Sequence, residues 1–447
     1  MNNIIIVGGG ISGLVSAIFN SRSGRKVTLI ENSSDIGGLL KSYTCSRGYS
    51  FDYGTHFLRQ TGIDELDEQI FNNLSKDEWS FLPYLKIGNY FRNNLNNDSP
   101  FILSTLIDKN DYKEGVKDFF ACKYNKDEFN DLRSQLIGIY GEAFFKKIHK
   151  PLIKKFYNIK PEKLSPNSHH IIGLNRILIS DPEKTIELKK EKFNDERLGF
   201  HSYKDGVSNL KSIYPKNGGI GRWLNHLKGI LEENGVDIQL NCSVKEIQCK
   251  DGFITKVINS NGQAINADKV VWTIPIHLFL EAANLEYSKD KVSFVGLNIY
   301  HCLSDRPPLT DVYYITCNDS TFVTYRVTLH SNCQITQKGK FYPFTVEVIS
   351  HENNQSDMEQ RKMIFELIKM QIFDTKSKIQ VVNVKKLNNG FPIPTIERNR
   401  SLNKNIERAS SSVSNVSFIG KASGKAFFME NVLIEAYKDA IQNIGRK

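Results

Sequence analysis

The sequence contains no apolar run approaching the roughly 20 residues of a membrane-spanning helix, so we expect no transmembrane segment. No basic stretch precedes the apolar N-terminus, which argues against a secretory signal peptide. The seven cysteines are an odd number without a C-x-x-C pair, which argues against a disulfide framework and favours a reducing, cytoplasmic location. No internal repeat is evident, which excludes a solenoid or propeller, and we expect a soluble globular chain.

Histidine and cysteine clusters with the spacing of a zinc site are also missing. The adjacent histidines His169 and His170 would point in different directions on a helix or a strand. We interpret them as ordinary surface or core residues and predict no metal site.

The balance of charge is basic, with a formal net charge of +10 over 447 residues. This charge fits a solvated basic surface, or attraction of an anionic small molecule such as a nucleotide-linked sugar. Nucleic-acid binding is not expected, because the basic residues are spread along the chain and no recognised nucleic-acid module is visible. Peripheral contact with an acidic membrane is a further alternative, and the oligomeric state cannot be inferred. The length allows two or three domains, and 40% hydrophobic residues provide a sizeable core.

The N-terminal stretch carries the clearest motif. Residues Ile4 to Val7 form an apolar run that predicts a buried parallel strand, and a helix is expected from about Ile11. Gly8, Gly10 and Gly13 between them have the G-x-G-x-x-G spacing. In this motif the first glycine permits a tight turn, the second lets the backbone approach a diphosphate, and the third lets the helix pack against its strand. The helix N-terminus would bind the diphosphate.

A second predicted strand, Lys26 to Ile30, ends at Glu31, about 20 residues after the last glycine, where a ribose-binding acid belongs. A second glycine pair, Gly37-Gly38, follows shortly after, and a plain NAD dehydrogenase would not need it. This pattern resembles the FAD signature of glutathione-reductase-type flavoproteins, most closely the branch with amine oxidases, protoporphyrinogen oxidases, carotenoid desaturases and UDP-galactopyranose mutases. The resemblance implies non-covalent FAD. Its cofactor-binding residues here would be Gly8, Gly10, Ile11, Ser12, Gly13, Glu31, Asn32, Gly37, Gly38 and Leu39.

Residues Phe51 to Phe57 resemble the G-x-H-x-F element of the mutases, and the same place in the oxidases reads D-x-G. The resemblance implies that Gly54, Thr55 and His56 lie beside the isoalloxazine ring. His56 is then either a proton carrier near the reactive N5 or a histidine that only packs and forms hydrogen bonds. We keep it as the candidate catalytic residue.

Two later blocks also resemble this flavoprotein branch. The predicted helix, strands and hairpin from about Gly206 to Pro275 resemble the second FAD-domain block of this branch, and the ending A-D-x-V-V-x-T-x-P is a further family mark. This resemblance implies that Val244 holds the adenine through its backbone. The last block combines F-P-x-P with N-V-x-F-x-G, where Gly420 would approach the diphosphate. Further cofactor contacts implied near the start of the last helix come from Lys421, Glu430, Asn431 and Val432. The amides of Asn431 and Val432 would face the flavin pyrimidine edge. Lys421 stands where the mutases have a substrate-binding arginine, a departure that weakens the likeness to them.

The expected fold is α/β, with a Rossmann-like FAD-binding domain, an inserted helical region and an antiparallel-sheet substrate domain. The FAD-binding domain is predicted from residues 1–60, 205–276 and 389–447, the helical region from 61–204, and the antiparallel sheet from 277–388. Within the helical region, apolar residues at three- and four-residue spacing predict helices over Asp111–Phe119, 126–139 and 141–156, whereas the charged stretch 184–193 is either a linker or a helix.

Three functions are compatible with this pattern. The first is an FAD-dependent oxidoreductase in which flavin N5 accepts a hydride from a small, anionic or nucleotide-linked substrate. The second is a non-redox isomerase of a nucleotide sugar that uses reduced FAD, and the third is a non-catalytic FAD-fold protein. Arg326, Arg398, Arg400 and Lys421 are candidate anion ligands, with surface ion pairs as the alternative role for the arginines.

Overall fold

The computed structural model describes residues 3–122, 129–288, 293–334, 340–351 and 357–442. The strands are β1 (Asn3–Val7), β2 (Lys26–Ile30), β3 (Ser42–Thr44), β4 (Ser50–Asp52), β5 (Leu58–Arg59), β6 (Trp79–Leu82), β7 (Ile87–Phe91), β8 (Asn94–Asn96), β9 (Ile102–Leu103), β10 (Ile177–Leu178), β11 (Ser212–Pro215), β12 (Asp237–Gln239), β13 (Val244–Lys250), β14 (Phe253–Asn259), β15 (Ala264–Asn266), β16 (Lys269–Trp272), β17 (Phe294–Ser304), β18 (Tyr314–Cys317), β19 (Thr324–Thr328), β20 (Tyr342–Ser350), β21 (Ile379–Pro392) and β22 (Val416–Phe418). The α-helices are α1 (Ile11–Arg22), α2 (Asp64–Phe71), α3 (Lys109–Ala121), α4 (Leu132–Tyr140), α5 (Glu142–Phe144), α6 (Lys150–Tyr157), α7 (Pro182–Leu188), α8 (Lys192–Arg197), α9 (Gly221–Glu233), α10 (Ile276–Ala282), α11 (His330–Cys333), α12 (Asp357–Lys369), α13 (Ile396–Ser412) and α14 (Met429–Gln442). A π-helical segment, Phe145–His149, joins α5 to α6, and short 3-10 turns lie at Ser104–Leu106, Pro161–Lys163 and Ser168–His170.

A five-stranded parallel sheet with the order β12-β2-β1-β16-β22 forms the first layer. Its strands come from three separate parts of the chain, which are the three parts predicted to form the FAD-binding domain. Helices α1, α9 and α14 pack on it, and the rings of Phe19 and Tyr437 meet edge to face at 4.8 Å. Because both faces are covered, the three inner strands β2, β1 and β16 are nearly continuous apolar runs. The expected Rossmann-like layer is present.

Close contact between α1 and β1 depends on a glycine. A Cβ atom built on Gly13 would collide with the carbonyl oxygen of Gly8, which is backbone and cannot move aside. Gly37 is held as closely against Leu224 of α9, with a φ of 104° that favours glycine. These two positions fix how the glycine-rich turns lie against the helices.

A seven-stranded sheet with the order β21-β17-β20-β19-β18-β7-β8 forms the second layer. Its neighbouring strands are antiparallel except for β18 and β7, which run parallel. The antiparallel sheet predicted for residues 277–388 is therefore present. However, β21 runs on to Pro392, so the boundary predicted between residues 388 and 389 falls inside a strand.

The region 61–204 is less helical than predicted, because β6 to β10 lie within it. Strands β7 and β8 join the seven-stranded sheet, and β7 pairs with β18, more than 200 residues further along the chain. The physical reason is that a short strand whose partner lies far along the chain shows little alternation of polar and apolar residues in its own sequence.

The helices predicted in this region are present with shifted ends. Helix α3 covers the predicted Asp111–Phe119, and the segment from α5 to α6 covers most of the predicted 141–156. Of the helix predicted over residues 126–139, the first three residues lie outside the described ranges, and α4 begins at Leu132 after an Asp131 cap. The undecided stretch 184–193 is split between α7 and α8. Along the described ranges, no helix combines the length and apolar composition needed to cross a bilayer.

The helical region packs on the seven-stranded sheet through a shared hydrophobic core and through a buried lysine. The Nζ atom of Lys155 on α6 donates to the carbonyl oxygens of Cys317, Asp319 and Thr324 at 2.9, 2.8 and 2.7 Å. Burial lowers the pKa of Lys155, and nearby acidic groups oppose this effect. The three carbonyl groups replace the water that the ammonium group loses.

We predict that Gly13→Ala destabilises the fold by about 3 kcal/mol or more, because the added Cβ would force α1 away from β1. Gly229→Ala is the matched control: Gly229 also lies in a helix, and its Cβ would meet nothing within 4 Å. The control should be neutral or gain about 0.5–1 kcal/mol. Urea unfolding followed by circular dichroism measures both changes, and equal stability of the two variants would contradict the prediction.

Candidate functional site

Of the three glycines of the G-x-G-x-x-G motif, Gly10 borders an open space after β1, while Gly8 and Gly13 are closely packed against protein atoms. Gly10 is the N-cap of α1, and a Cβ atom on it would meet nothing within 4 Å. Gly38 borders the same place, since its Cβ would lie 3.8 Å from the Cα of Gly10. From the C-terminal block, Gly420 comes so close to Ser12 that no side chain would fit there. Gly8 packs against Thr273 of the second block, so all three sequence blocks meet at the N-terminus of α1, where the space beside Gly10 is open.

Glu31 follows β2 and lies at the edge of this space. Its Oε2 accepts a hydrogen bond from the N–H of Gly9 at 2.6 Å, and its Oε1 accepts one from Ser33 at 2.8 Å. Burial would raise the pKa of Glu31, but the hydrogen bonds from Ser33 and Gly9 outweigh it and lower the pKa. The carboxylate is thus charged at neutral pH, as a ribose-binding acid should be.

The remaining candidates for the adenine end lie around Glu31. The carbonyl of Glu31 accepts from the N–H of Cys242, which brings Val244 at the start of β13 towards the end of β2. Val244 is half-buried, whereas Asn32 and Leu39 are exposed. Their contacts to a cofactor stay predictions.

At the other end of the site, the loop between β22 and α14 is held by Glu435. Its carboxylate accepts hydrogen bonds from the N–H of Gly420 at 2.7 Å and from the Ser423 hydroxyl at 2.7 Å. Lys421 is exposed beside it. Within α14, Glu430 is half-buried and Asn431 is exposed.

One expectation for this helix needs correction. The N–H of Val432 donates to the carbonyl of Phe428 at 3.0 Å, so it is not a free donor for a flavin edge. The reason is that the helical turn begins before Met429 and uses this amide. The role of Asn431 stays a prediction.

The loop from Gly54 to Phe57 runs over the seven-stranded sheet. Gly54 has a φ of 111°, and the N–H of Thr55 donates to Oε1 of Glu347 at 3.2 Å. The Nε2 atom of His56 lies 3.2 Å from the carbonyl oxygen of Tyr53. Burial lowers the pKa of His56; the charge of Glu347 raises it and that of Arg326 lowers it. The ring is therefore neutral at pH 7.

Asp52, just before this loop, was not among the sequence candidates. Its buried carboxylate accepts hydrogen bonds from the Tyr214 hydroxyl at 2.5 Å, the Ser42 hydroxyl at 2.7 Å and the N–H of Ile220 at 2.8 Å. Burial raises the pKa of Asp52 to about 6, against the effect of these bonds. Asp52 thus ties the base of the loop to three other segments. The D-x-G pattern noted in the sequence is the signal that could have identified it.

The candidate anion ligands have different surroundings. Arg326 on β19 donates through Nε and a second guanidinium nitrogen to the two oxygens of Glu347, at 2.7 and 2.9 Å. Its two-pronged edge is already occupied, so binding of a substrate anion there would require Glu347 to move. On α13, Arg400 is exposed, while the Nε atom of Arg398 is buried without a hydrogen-bond partner among the described residues.

A row of aromatic rings leads from the surface to this ion pair. Phe428 and Phe427 are 49% and 39% exposed, with their ring centroids 5.4 Å apart. Phe427 lies 5.9 Å from Phe391, which lies 5.2 Å from Phe156. Tyr325 follows at 5.0 Å from Phe156, with the guanidinium of its neighbour Arg326 5.3 Å from the centre of its ring. Only the outer rings of the row, Phe427 and Phe428, are exposed, whereas Phe156 and Tyr325 are 2% and 7% exposed and belong to a hydrophobic core. The sequence does not reveal the row, because its members are far apart in the chain.

Two family models match the chain. One, described as an NAD(P)-binding Rossmann-like domain, matches residues 6–74. The other, described as a flavin containing amine oxidoreductase, matches residues 123–293. The first match contains the glycine motif, Glu31 and the Gly54–Phe57 loop, and the second includes β12 to β16 of the parallel sheet.

Curated relatives are similar over most of the chain. A 4,4'-diaponeurosporene oxygenase from Staphylococcus aureus (strain bovine RF122 / ET3-1) is 21% identical over 398 residues, 82% of this chain and 75% of the relative. A 4,4'-diapolycopene oxygenase from Methylomonas sp is 26% identical over 281 residues, 60% of this chain and 54% of the relative. The chain thus matches about half to three quarters of the length of these relatives.

Solved structures share the whole architecture. A reduced UDP-galactopyranose mutase has a TM-score of 0.76 with 16% identity, covering 100% of this chain and 97% of that one. Wild-type putrescine oxidase bound to putrescine has a TM-score of 0.64 with 12% identity, covering 100% and 99%. At such identities the likeness shows the fold. It confirms the expected fold class.

We predict that Gly10→Ala abolishes FAD binding without unfolding the protein. The φ of −75° at Gly10 suits alanine, and its Cβ meets no protein atom, so the cost in stability should be below about 1 kcal/mol. The same Cβ would occupy the space proposed for the diphosphate and should raise the Kd for FAD at least about 100-fold. Fluorescence titration with FAD and urea unfolding test the two halves, with Gly229→Ala as control. Unchanged FAD affinity would contradict the prediction.

Proposed function

Because the chain belongs to the superfamily of flavin-containing amine oxidoreductases, we propose that it oxidises an elongated apolar molecule with FAD as the hydride acceptor. That it is an FAD-dependent oxidoreductase follows from the two family models, the named oxygenase relatives and the shared fold. The substrate and the roles of single residues are the proposal. The observation that carries it is the exposed ring pair Phe427–Phe428 at the outer end of the aromatic row, together with the pairing of Arg326 with Glu347 at its inner end.

The residues around the open space at Gly10 fit FAD. The N-terminal amides of α1 at Ile11 and Ser12 would bind the diphosphate, and Glu31 the ribose. Val244 would hold the adenine through its backbone, and Asn431 would donate to the flavin. When bound, FAD would accept the hydride at its N5 atom.

His56 has the right protonation state to accept a proton. A carbonyl oxygen can only accept a hydrogen bond, so the Nε2 atom facing Tyr53 must carry the ring proton. The Nδ1 atom then keeps its lone pair. With the pKa of His56 lowered by burial, this nitrogen stays available at neutral pH. We assign His56 the removal of a proton from the substrate as the hydride leaves.

An apolar substrate is better supported than the anionic one expected from net charge. The fork of Arg326 is neutralised by Glu347, and the row from Phe428 to Tyr325 presents rings rather than charges. The names of the relatives point the same way, because 4,4'-diaponeurosporene and 4,4'-diapolycopene are carotenoids.

A second candidate is a non-redox isomerase of a nucleotide sugar. It is favoured by the exposed Lys421 and by the buried Nε atom of Arg398, which has no partner in the described part of the chain. Both cations could bind a diphosphate. The G-x-H-x-F run at Gly54 also fits this alternative.

We predict that anaerobic mixing in detergent micelles with 4,4'-diaponeurosporene, which keeps a saturated CH–CH bond that can lose a hydride and a proton, removes the absorbance of oxidised flavin once the overlapping polyene absorbance is subtracted, while UDP-galactopyranose leaves it unchanged. Hydride transfer from an apolar substrate reduces the flavin, whereas an isomerase has no net redox change. Turnover of the UDP-sugar after prior reduction of the flavin, with no reaction of the polyene, would establish the second candidate and refute the first.

The aromatic row supplies a matched control for this experiment. Phe427→Ala should raise the substrate concentration needed for half-maximal reduction by about tenfold, because a phenyl ring buried by substrate contributes about 1.5–3 kcal/mol. Phe365→Ala removes an equally large exposed ring on α12, outside the row, and should have no effect.

We predict that His56→Ala lowers the rate of flavin reduction by about 10²- to 10⁴-fold while FAD stays bound. In the wild type, the rate should fall as the pH drops below the lowered pKa of His56, because the protonated ring cannot accept a proton. The variant should lose this limb of the profile. His351→Ala, which changes an exposed histidine, is the control. A normal rate with normal flavin content would remove His56 from the reaction.

A further inference from the structure

A buried carboxylate lies directly under the loop that carries His56. We propose that Glu347, paired with Arg326, is a positioning residue that fixes this loop and keeps the charge beneath the flavin at zero. This inference rests on the proposed function for one step only, the placement of FAD against Gly54–His56. Neither residue was assigned this role by the sequence motifs.

The ion pair has a two-pronged geometry. Glu347 on β20 is 2% exposed, and Arg326 stands on the adjacent strand β19, paired with it in the sheet register. The guanidinium makes two hydrogen bonds, 2.7 and 2.9 Å long, one to each carboxylate oxygen. This fork-on-fork arrangement fixes the orientation of the carboxylate as well as its charge.

The Glu347 carboxylate also accepts hydrogen bonds from the loop. Its Oε1 accepts from the N–H of Thr55 at 3.2 Å and from the Thr55 hydroxyl at 3.4 Å. The same hydroxyl lies 2.5 Å from that of Thr328 on β19. A Cβ on Gly54 would itself lie 3.5 Å from the carboxyl group, so Gly54 faces Glu347 with room for no more than one added carbon atom. The carboxylate therefore holds the loop through Thr55.

Stability alone does not explain the pair. Removing two charges from water costs several kcal/mol per ion, and well-packed apolar residues are often as stable at such places. A lone carboxylate under the loop would disfavour negative charge on a reduced flavin, and a lone guanidinium would favour it. The Glu347–Arg326 pair gives the loop a fixed hydrogen-bond acceptor, and because its two charges cancel, it neither favours nor disfavours negative charge on a reduced flavin.

The experiment compares Glu347→Gln with the double variant Glu347→Gln, Arg326→Gln. Glutamine still offers an oxygen to Thr55 but leaves Arg326 as an uncompensated cation. The matched control is Glu366→Gln, which removes a carboxylate that is also 2% exposed and accepts from the N–H groups of Val323 and Thr324.

The first measurement is the reduction potential of bound FAD. In Glu347→Gln, the reduction equilibrium should shift at least about tenfold towards the reduced flavin, about 30 mV for a two-electron couple. In the double variant, the potential should return towards the wild-type value, and Glu366→Gln should not change it. An unchanged potential in Glu347→Gln, or a double variant that does not return, would overturn the charge-balancing role.

The second measurement needs no flavin. NMR titration of His56 in the cofactor-free protein should show its pKa falling in Glu347→Gln, because the carboxylate that raises it is gone. The pKa should rise again in the double variant. No movement of this pKa would overturn the proposed contact with the loop. If instead the wild type fails to bind FAD, the proposed function fails while this titration still decides the role of Glu347.

Should Glu347→Gln not fold, Glu347→Asp gives an independent test. Aspartate keeps the negative charge, but its side chain is one methylene group shorter, so the carboxylate lies farther from Thr55. It should weaken FAD binding by about tenfold and leave the potential near the wild-type value. A shifted potential with unchanged FAD affinity would contradict the proposal.

Discussion

The site depends on the short distance between helix α1 and the end of β1. Gly13 permits it, because any side chain there would strike the backbone of Gly8. The helix N-terminus is thereby placed at the edge of the parallel sheet, where the partial positive charge of its amides can act on an anion. Gly420 also comes close to α1, since a Cβ atom built on it would collide with the Ser12 hydroxyl, so the C-terminal block reaches the same point. Without this approach, the three chain segments would not meet at the N-terminus of α1.

The parts of the fold that could be predicted are those in which partners are close in sequence or share a motif. The β1–α1–β2 unit follows from apolar runs, three glycines and the acid at Glu31. The parallel sheet that joins three distant segments was predicted only through the family resemblance. Strand β7 could not be predicted, because its partner β18 lies so far along the chain. The same holds for the long β21, whose residues are mostly half-buried and show no clean alternation.

Within the site, the sequence shows charges but not their partners. Arg326 was selected as an anion ligand because arginine suits that task, and the structure pairs it with a carboxylate of its own chain. The sequence does contain a sign of the acidic partner of Arg326, because Glu347 interrupts an apolar strand between Val346 and Val348. A carboxylate in such a strand is costly unless it is paired, so it predicts a nearby cation. Asp52 follows the same reasoning: its carboxylate is buried, and three donors surround it.

This internal pairing affects how a substrate would be selected. The net charge of +10 acts on an approaching anion only within about one Debye length, roughly 8 Å at physiological ionic strength. At the inner end of the aromatic row, the guanidinium of Arg326 is cancelled by Glu347, so little local field is left to hold an anion. For the proposed apolar substrate, binding energy would then come mainly from contact with the exposed rings of Phe427 and Phe428. Such contact scales with buried area and is not directional, so under this proposal the position of the reacting carbon would depend on the loop to which Glu347 is hydrogen-bonded.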